Sequence, residues 1–131
     1  MESTDLRDLA QRMLDAWTSQ DVARVLDCYT DDCVYVDPNT RGPVRGRAAM
    51  RRYLERLFAG WQMTWALREA HGYADGSGAN VLWRATFARK RDGAAAEIDG
   101  MDLVVLRDGR IARNEVAFDR SRLPPETPTP G

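Results

Sequence analysis

The feature that most constrains this fold is a single change of hydrophobic period, close to residue 60. Before it, apolar residues recur three and four positions apart, which is the spacing of an amphipathic helix. After it, apolar and polar residues alternate, as in strands with one buried face, and turns rich in Gly and Asp separate the runs. Helices followed by strands are typical of an α+β domain. We predict helices over residues 3–19, 21–30 and 47–59, and strands over residues 33–37, 61–73, 81–89, 96–107 and 110–119.

The third long strand has apolar residues at both its odd-numbered and its even-numbered positions, and this predicts an oligomer. Ile98 and Val104 lie on one face, whereas Met101, Leu103 and Val105 lie on the other. A sheet that is apolar on both faces needs two covers. The helices cover one face, so we expect a homodimer that buries the outer face of the sheet.

Length and charge narrow the classes of function. A chain of 131 residues fits one domain, which we place at residues 1–122, and the Pro-rich residues 123–131 are predicted to be a disordered tail. The net charge of −1 gives no basis for binding nucleic acid. No apolar run approaches the roughly 20 residues that span a bilayer, and the acidic N-terminus lacks a signal sequence. We therefore expect no nucleic acid or membrane partner and a cytoplasmic location.

Metal and cofactor motifs are missing from the sequence. Its two cysteines, Cys28 and Cys33, are expected to be buried free thiols. The single histidine, His71, is expected at the surface or at a pocket rim, and there is no Cys/His cluster for zinc. No Gly-rich phosphate-binding motif is present. We expect a protein that works without a metal or cofactor.

Several short segments carry a resemblance to a known superfamily. They are Tyr29-Thr30-Asp31-Asp32-Cys33-Val34-Tyr35-Val36-Asp37-Pro38, Val44-Arg45-Gly46 and Arg107-Asp108-Gly109-Arg110-Ile111. In this order, over residues 6–119, the chain resembles the ketosteroid isomerase and SnoaL-like polyketide cyclase superfamily. The resemblance implies a cone-shaped nuclear transport factor 2-like fold, in which three N-terminal helices pack in the concave face of a curved, mostly antiparallel sheet.

The resemblance also implies two catalytic carboxyls. Asp37, before Pro38 at the end of the first strand, matches the general base of ketosteroid isomerases. Asp102 matches a carboxyl that is kept protonated in an apolar site and donates a hydrogen bond to the enolate. From the residues alone, Asp37 can instead cap the turn that follows it, and Asp102 can pair with Arg84 or Arg113.

A hydrophobic pocket is a further implication. The side chains expected to bind substrate are Met13, Trp17, Tyr29, Tyr53, Leu57, Trp83, Phe87, Asn114 and Phe118. Met13 stands where the isomerases have a tyrosine, and Tyr29 is a candidate for the missing hydroxyl. Asn114 is a candidate for orienting a substrate oxygen or a water. Asp119, at the end of the last strand, is a secondary acid/base candidate.

These expectations favour an isomerase or cyclase that abstracts a proton next to a carbonyl on a hydrophobic small molecule. A polyketide, terpenoid or steroid-like substrate fits this reading. One alternative is an epoxide hydrolase or epoxide-opening cyclase of the same fold, which an arginine within hydrogen-bond reach of Asp102 would favour. The other is a non-catalytic module for ligand binding or dimerisation.

Overall fold

Three helices and six strands form the part of the chain that the structure, a computed structural model, describes, residues 3–125. The helices are α1 (Ser3–Ser19), α2 (Val22–Leu26) and α3 (Arg47–Gly60). The strands are β1 (Tyr29–Val36), β2 (Val44–Arg45), β3 (Trp61–Gly72), β4 (Gly78–Arg89), β5 (Ala95–Arg107) and β6 (Arg110–Ala117), followed by a 3₁₀ turn (Arg120–Arg122). No helix within these residues is long and apolar enough to cross a membrane.

One six-stranded sheet runs in the order β2-β1-β6-β5-β4-β3. Strands β3 to β6 form an antiparallel meander, and only the β1–β6 pair is parallel. Register shifts between Leu67 and Glu69 and between Val105 and Leu106 interrupt the ladders, and such bulges bend a strand. The predicted α+β class, with helices packed against a curved, mostly antiparallel sheet, is confirmed.

The end of α1 covers the free edge of β3. The side chain of Gln20 accepts from the Met63 N–H at 2.6 Å and donates to the Trp61 carbonyl at 3.0 Å. The Thr18 hydroxyl accepts from the Trp65 N–H at 3.0 Å. An edge strand otherwise presents unpaired backbone groups. These contacts therefore protect the edge and fix α1 across the concave face.

The core lies between the helices and that concave face. Its largest fully buried side chains are Trp83, Tyr29, Met13, Leu14, Leu26, Met50, Leu54, Met63, Ile98, Ile111, Val25 and Val81. They come from all three helices and from five strands, β1 and β3 to β6, because each element presents one apolar face inward. The core therefore closes around the middle of the sheet.

Gly100 makes room for the largest of these side chains. It lies opposite Trp83 in the β4–β5 register. A Cβ atom at residue 100 would stand 2.3 Å from Cη2 of the Trp83 indole. Because glycine has no Cβ, the indole lies directly over β5. This placement brings its Nε1 within reach of Asp102.

The structure differs from prediction around the first strand. The second helix was predicted to extend past Tyr29, but α2 ends at Leu26 and β1 begins at Tyr29. Long-range contacts decide this, because Tyr29 pairs with Ile111 of β6 and the Ile111 N–H donates to the Cys28 carbonyl at 2.8 Å. The predicted loop over residues 39–46 contains the short strand β2, which pairs with β1.

The segment predicted to be a disordered tail begins against the body of the domain. Leu123 packs on the core, and the Arg89 guanidinium donates to the carbonyl oxygens of Pro124 and Pro125, at 2.6 Å for the latter. Residues 126–131 of the tail lie outside the described residues. The two cysteines are free, with Cys33 buried and Cys28 half-buried.

Candidate functional site

A small cavity of about 30 Å³ lies between the helices and the sheet. It is lined by Leu14, Trp17, Tyr35, Asp37, Asn39, Leu57, Met63, Trp65, Trp83, Phe87, Asp102, Asn114, Val116 and Phe118. Such a volume holds one or two water molecules. It is far below the roughly 300–1,000 Å³ of a typical ligand pocket. Both predicted catalytic carboxyls, Asp37 and Asp102, line it.

Asp37 directly follows β1 and accepts four hydrogen bonds. Its Oδ1 accepts from the backbone N–H groups of Asn39 at 2.7 Å and Thr40 at 3.0 Å. Its Oδ2 accepts from the hydroxyls of Tyr35, at 2.7 Å, and Tyr53. A carboxylate offers about four acceptor positions, so all of them are filled. Asp37 thus caps the turn and faces the cavity at once, and a substrate reaches Oδ2 only when a tyrosine hydroxyl gives way.

The two tyrosines are neutral donors to that carboxylate. Burial raises the pKa of Tyr35 well above its ordinary value, and the charge of Asp37 raises it further. The same two causes, in the same order, raise the pKa of Tyr53. Tyr35 reaches Asp37 because side chains two residues apart share a face of a strand. Tyr53 reaches it from α3.

Asp102 lies in the middle of β5 and is buried. Its Oδ1 accepts from Trp83 Nε1 at 2.9 Å. Burial raises the pKa of Asp102 to about 7; hydrogen bonds from Trp83 and Asn114 oppose this, and the negative charge of Asp37 adds to it. At neutral pH the carboxyl therefore occurs in both protonation states, and it can donate or accept a proton.

Neither arginine that was considered as a partner for Asp102 contacts it, and that alternative is wrong. Arg84 pairs with Asp99, with Nε 2.7 Å from Oδ1, and Arg113 pairs with Glu115. Arg84 directly follows the inward-facing Trp83, and Arg113 directly precedes the inward-facing Asn114. Because alternate side chains of a strand point to opposite faces, both arginines point outward. Both ion pairs therefore lie on the outer face of the sheet, away from the cavity.

A second buried network stands behind Asp102. The Tyr29 hydroxyl donates to Asn114 Oδ1 at 2.7 Å and accepts from Trp17 Nε1 at 3.2 Å. The Asn114 amide donates to the Leu103 carbonyl at 3.2 Å. Asn114 lines the cavity, whereas Tyr29 does not. Tyr29 thus orients Asn114 from behind, and its hydroxyl is not placed where a substrate would meet it.

The remaining predicted site residues are divided between the cavity and its surroundings. Trp17, Leu57, Trp83, Phe87, Asn114 and Phe118 line the cavity, as Asp37 and Asp102 do. Met13 is buried in the core and does not line the cavity. Tyr53 lines a groove next to the cavity, and its hydroxyl donates to Asp37. His71 is exposed beside Glu69. Asp119 is exposed and caps the 3₁₀ turn, accepting from Ser121.

Tyr35 and Trp65 are two of the lining residues that the sequence analysis left without a role in the site. Strand parity already places Tyr35 on the same face as Asp37. The alternation in β3 places Trp65 inward, where its ring centroid lies 5.7 Å from that of Trp17 and 6.3 Å from that of Trp83. With Phe87 and Phe118, 5.5 Å apart, these rings fill most of the space and explain why the cavity is small.

The described residues offer no evident metal site. Nowhere in residues 3–125 do three or more His, Cys, Asp or Glu side chains converge as metal ligands. Asp37 and Asp102 face the same cavity, but their neighbours are tyrosine, tryptophan and asparagine. The arrangement is suited to proton transfer and hydrogen bonding in an apolar enclosure.

Solved structures with similar folds include two natural proteins and one designed one. The salinomycin epoxide hydrolase/cyclase-like enzyme SalBIII is 18% identical with a TM-score of 0.81, covering 92% of this chain and 95% of its own. A ketosteroid isomerase-like protein from Erwinia carotovora atroseptica is 21% identical with a TM-score of 0.73, covering 89% and 95%. A computationally designed 17-OHP binder is 13% identical with a TM-score of 0.77, covering 91% and 96%.

At these identities the likeness concerns the fold, which has been used for both enzymes and a binder. None of the curated proteins matches the chain. The family model of the SnoaL-like domain matches residues 10–114, from within α1 to Asn114 in β6. That span includes most of the cavity and both buried carboxyls, and it is well over half of the sequence. The chain belongs to the SnoaL-like domain family.

Proposed function

We propose that this protein is a cofactor-independent isomerase or cyclase that moves a proton next to a carbonyl group of a hydrophobic small molecule. The observation that carries the proposal is the placement of two carboxyls of different character in one aromatic-lined cavity. Asp37 accepts four hydrogen bonds, two from backbone N–H groups and two from tyrosine hydroxyls. Asp102, with a pKa raised by burial to about 7, is available as a proton donor.

In the proposed reaction the substrate carbonyl oxygen accepts a hydrogen bond from protonated Asp102. Asp37 Oδ2 removes a proton from the adjacent carbon, and the electron pair of the C–H bond moves into the enolate, whose oxygen Asp102 stabilises. Isomerisation follows when Asp37 returns the proton to a different carbon. Cyclisation follows when the enolate carbon attacks a second carbonyl, whose oxygen becomes an alkoxide and takes up the proton that Asp37 had removed. Tyr53 yields its place on Oδ2 as the substrate enters.

The size of the cavity supports a second candidate function, a non-catalytic module that serves dimerisation. A volume of about 30 Å³ admits no polyketide or terpenoid unless the aromatic side chains move. Phe87 and Phe118 are packed together and would have to separate. Epoxide opening is less well supported, because Arg84 and Arg113 pair with carboxylates on the outer face.

Hydrogen–deuterium exchange at the carbon next to a ketone separates these functions, since it detects proton abstraction whatever the later steps are. The probe is 2-tetralone in D₂O, followed by proton NMR. We expect Asp37→Asn to slow exchange by about 10²–10⁴-fold, as loss of a general base does. Asp99→Asn, which changes an exposed carboxylate on the same sheet, is the matched control. Exchange at the uncatalysed rate in the parent protein, or an unchanged rate in Asp37→Asn, would contradict the proposal.

We also propose that the protein acts as a homodimer through the outer face of the sheet. Met101 is 40% exposed and is the one large hydrophobic side chain classed as exposed among the described residues. Leu103 and Val105 continue its face along β5 and are half-buried. Light scattering should give twice the 14.8 kDa chain mass, and Met101→Glu should give the monomer. Gln11→Glu, which changes an exposed residue of α1 on the other side of the sheet, serves as the control. A monomeric parent protein would refute the dimer.

A further inference from the structure

An open groove of about 1,250 Å³ adjoins the cavity. Its walls come from the loop after β1, the second half of α3, the start of β3 and the C-terminal segment from Arg120 to Pro125. Asn39 and Leu57 line both the groove and the inner cavity. The two spaces are therefore neighbours that share a wall, and a molecule that enters the cavity from this side passes through the groove.

The groove is positively charged. Arg41, Arg56 and Arg120 line it, and no Asp or Glu is among its described lining residues. Elsewhere on the domain, arginines commonly lie against carboxylates, as Arg84 does against Asp99. Arg41 and Arg56 differ, since neither has a carboxylate oxygen within 4.0 Å among residues 3–125. Arg41 and Arg56 thus present guanidinium groups whose charge is not neutralised by a carboxylate of residues 3–125.

Tyr53 connects the charged groove to Asp37, the proposed catalytic base. Tyr53 lines the groove, and its hydroxyl donates to Asp37. Arg56 follows it by three residues on α3, a spacing that places the two side chains side by side. Its positive charge acts on the Tyr53 hydroxyl, where it lowers the pKa against the larger effect of burial. Asn39, which accepts from Arg120 Nε at 2.9 Å, also donates its backbone N–H to Asp37.

We infer that this groove binds a carboxylate carried by the substrate, so that the substrate class is a hydrophobic keto acid. The apolar, ketone-bearing part enters the cavity, and the carboxylate stays at the mouth against Arg41 and Arg56. Guanidinium groups suit a carboxylate because they can donate two parallel hydrogen bonds to it. The inference rests on the proposed function for the identity of the ketone, but the anion site can be tested by binding alone.

The test compares two probes of nearly the same size and shape, the anion 4-oxo-4-phenylbutanoate and its neutral amide, 4-oxo-4-phenylbutanamide. Affinities are measured by titration calorimetry at pH 7.5 in low salt and in 0.5 M NaCl. We expect the acid to bind about tenfold more tightly than the amide in low salt, and this preference to shrink in high salt because exposed charges are screened. In the double variant Arg41→Gln/Arg56→Gln the preference should disappear, while the amide keeps its affinity. Arg51→Gln, on the same helix but outside the groove, should leave the preference intact.

Three results would overturn the inference: equal affinity for acid and amide, a preference that survives the double variant, or no binding of either probe. A preference that appears only after Glu126→Gln would also overturn it, because the chain's own carboxylate would then be the natural occupant. The outcome is independent of turnover. If the acid preference holds but Asp37→Asn leaves 2-tetralone exchange unchanged, the anion site stands and the proposed proton transfer fails.

Discussion

Asp99 and Asp102 lie three residues apart on β5 and have opposite environments. Asp99 is on the outer face, where the Arg84 guanidinium binds it at 2.7 and 3.1 Å and lowers its pKa. Asp102 is on the inner face, bonded by an indole N–H and an amide, and burial raises its pKa to about 7. Since the side-chain period of a strand is two, an odd separation sends two chemically identical residues to opposite faces. One is a surface ion pair and the other a candidate proton donor.

The largest expected effect is on catalysis. Asp102→Asn should slow 2-tetralone exchange on the order of 10²–10³-fold, because it removes a donor aimed at the developing oxyanion. Asp99→Asn should leave the rate within about twofold, because an exposed ion pair has little influence on a distant cavity. Rates are compared by proton NMR at pH 6, where Asp102 is mainly protonated. Equal slowing in both variants would mean that the two faces are not chemically distinct.

The same contrast predicts opposite pH dependences of stability. A carboxyl whose folded pKa is raised favours the folded state while protonated, and this contribution is lost as pH rises from about 4 towards 7. For Asp102 the loss is on the order of 3–4 kcal/mol, and Asp102→Asn should remove it. The lowered pKa of Asp99 works the other way, stabilising above its unfolded pKa and losing the effect as pH falls below about 4. Urea unfolding from pH 3 to pH 9 measures both slopes. An unchanged slope between pH 4 and 7 in Asp102→Asn would show that Asp102 is not a buried titrating group.

Steric crowding at Gly100 offers a third way to disturb the inner face without touching a carboxyl. Gly100→Ala would place a Cβ 2.3 Å from the Trp83 ring, so the indole must move and its bond to Asp102 must lengthen or break. We expect a loss of about 1–3 kcal/mol in the free energy of unfolding, as for other overpacked cores. Gly60→Ala is the matched control, because the added methyl group has no atom within 4 Å apart from its chain neighbours and the backbone of its own helix. If the two variants are equally stable in urea, the Trp83 contact does not constrain the site.

Much of this contrast was accessible from the sequence. Alternation along β5 already placed Asp102 on the same face as Ile98 and Val104, and the change of period predicted the α+β class. The partner of Asp102 was not accessible, because it depends on the β4–β5 register, which sets Arg84 opposite Asp99 and Trp83 opposite Gly100. Periodicity within one strand does not fix its register with the next.

The surroundings of Asp37 divide in the same way. Its bond to Tyr35 follows from strand parity over two residues, a local property. Its other hydroxyl donor, Tyr53, lies on α3. Between β1 and α3 come a turn and the short strand β2, which the sequence of residues 39–46 does not predict. Tyr29 is the extreme case, since its hydroxyl bonds Asn114, 85 residues away, across the parallel β1–β6 pair. Contacts of that kind depend on the whole topology.

The smallest expected effect tests whether that distant hydroxyl tunes the inner carboxyl. Tyr29→Phe frees Asn114 Oδ1, so the amide loses an anchor and donates less effectively to Asp102. A weaker donor disfavours the ionised form, so the pKa of Asp102 should rise further. If exchange needs protonated Asp102, activity falls as pH rises through about 7, which gives the pH–rate profile a falling limb. In Tyr29→Phe we expect the midpoint of that limb to lie roughly half to one pH unit higher.

Tyr73→Phe is the matched control for this shift, because Tyr73 makes the same kind of bond, to Asn80 Oδ1 at 2.6 Å, away from the cavity. Both substitutions remove one Tyr–Asn hydrogen bond, and each should lower the free energy of unfolding by about 1 kcal/mol, or by more where the amide is left buried. Only a tuning role for Tyr29 moves the pH–rate limb. If Tyr29→Phe lowers stability but leaves that limb where it is, Tyr29 is a structural residue and its hydroxyl does not tune Asp102.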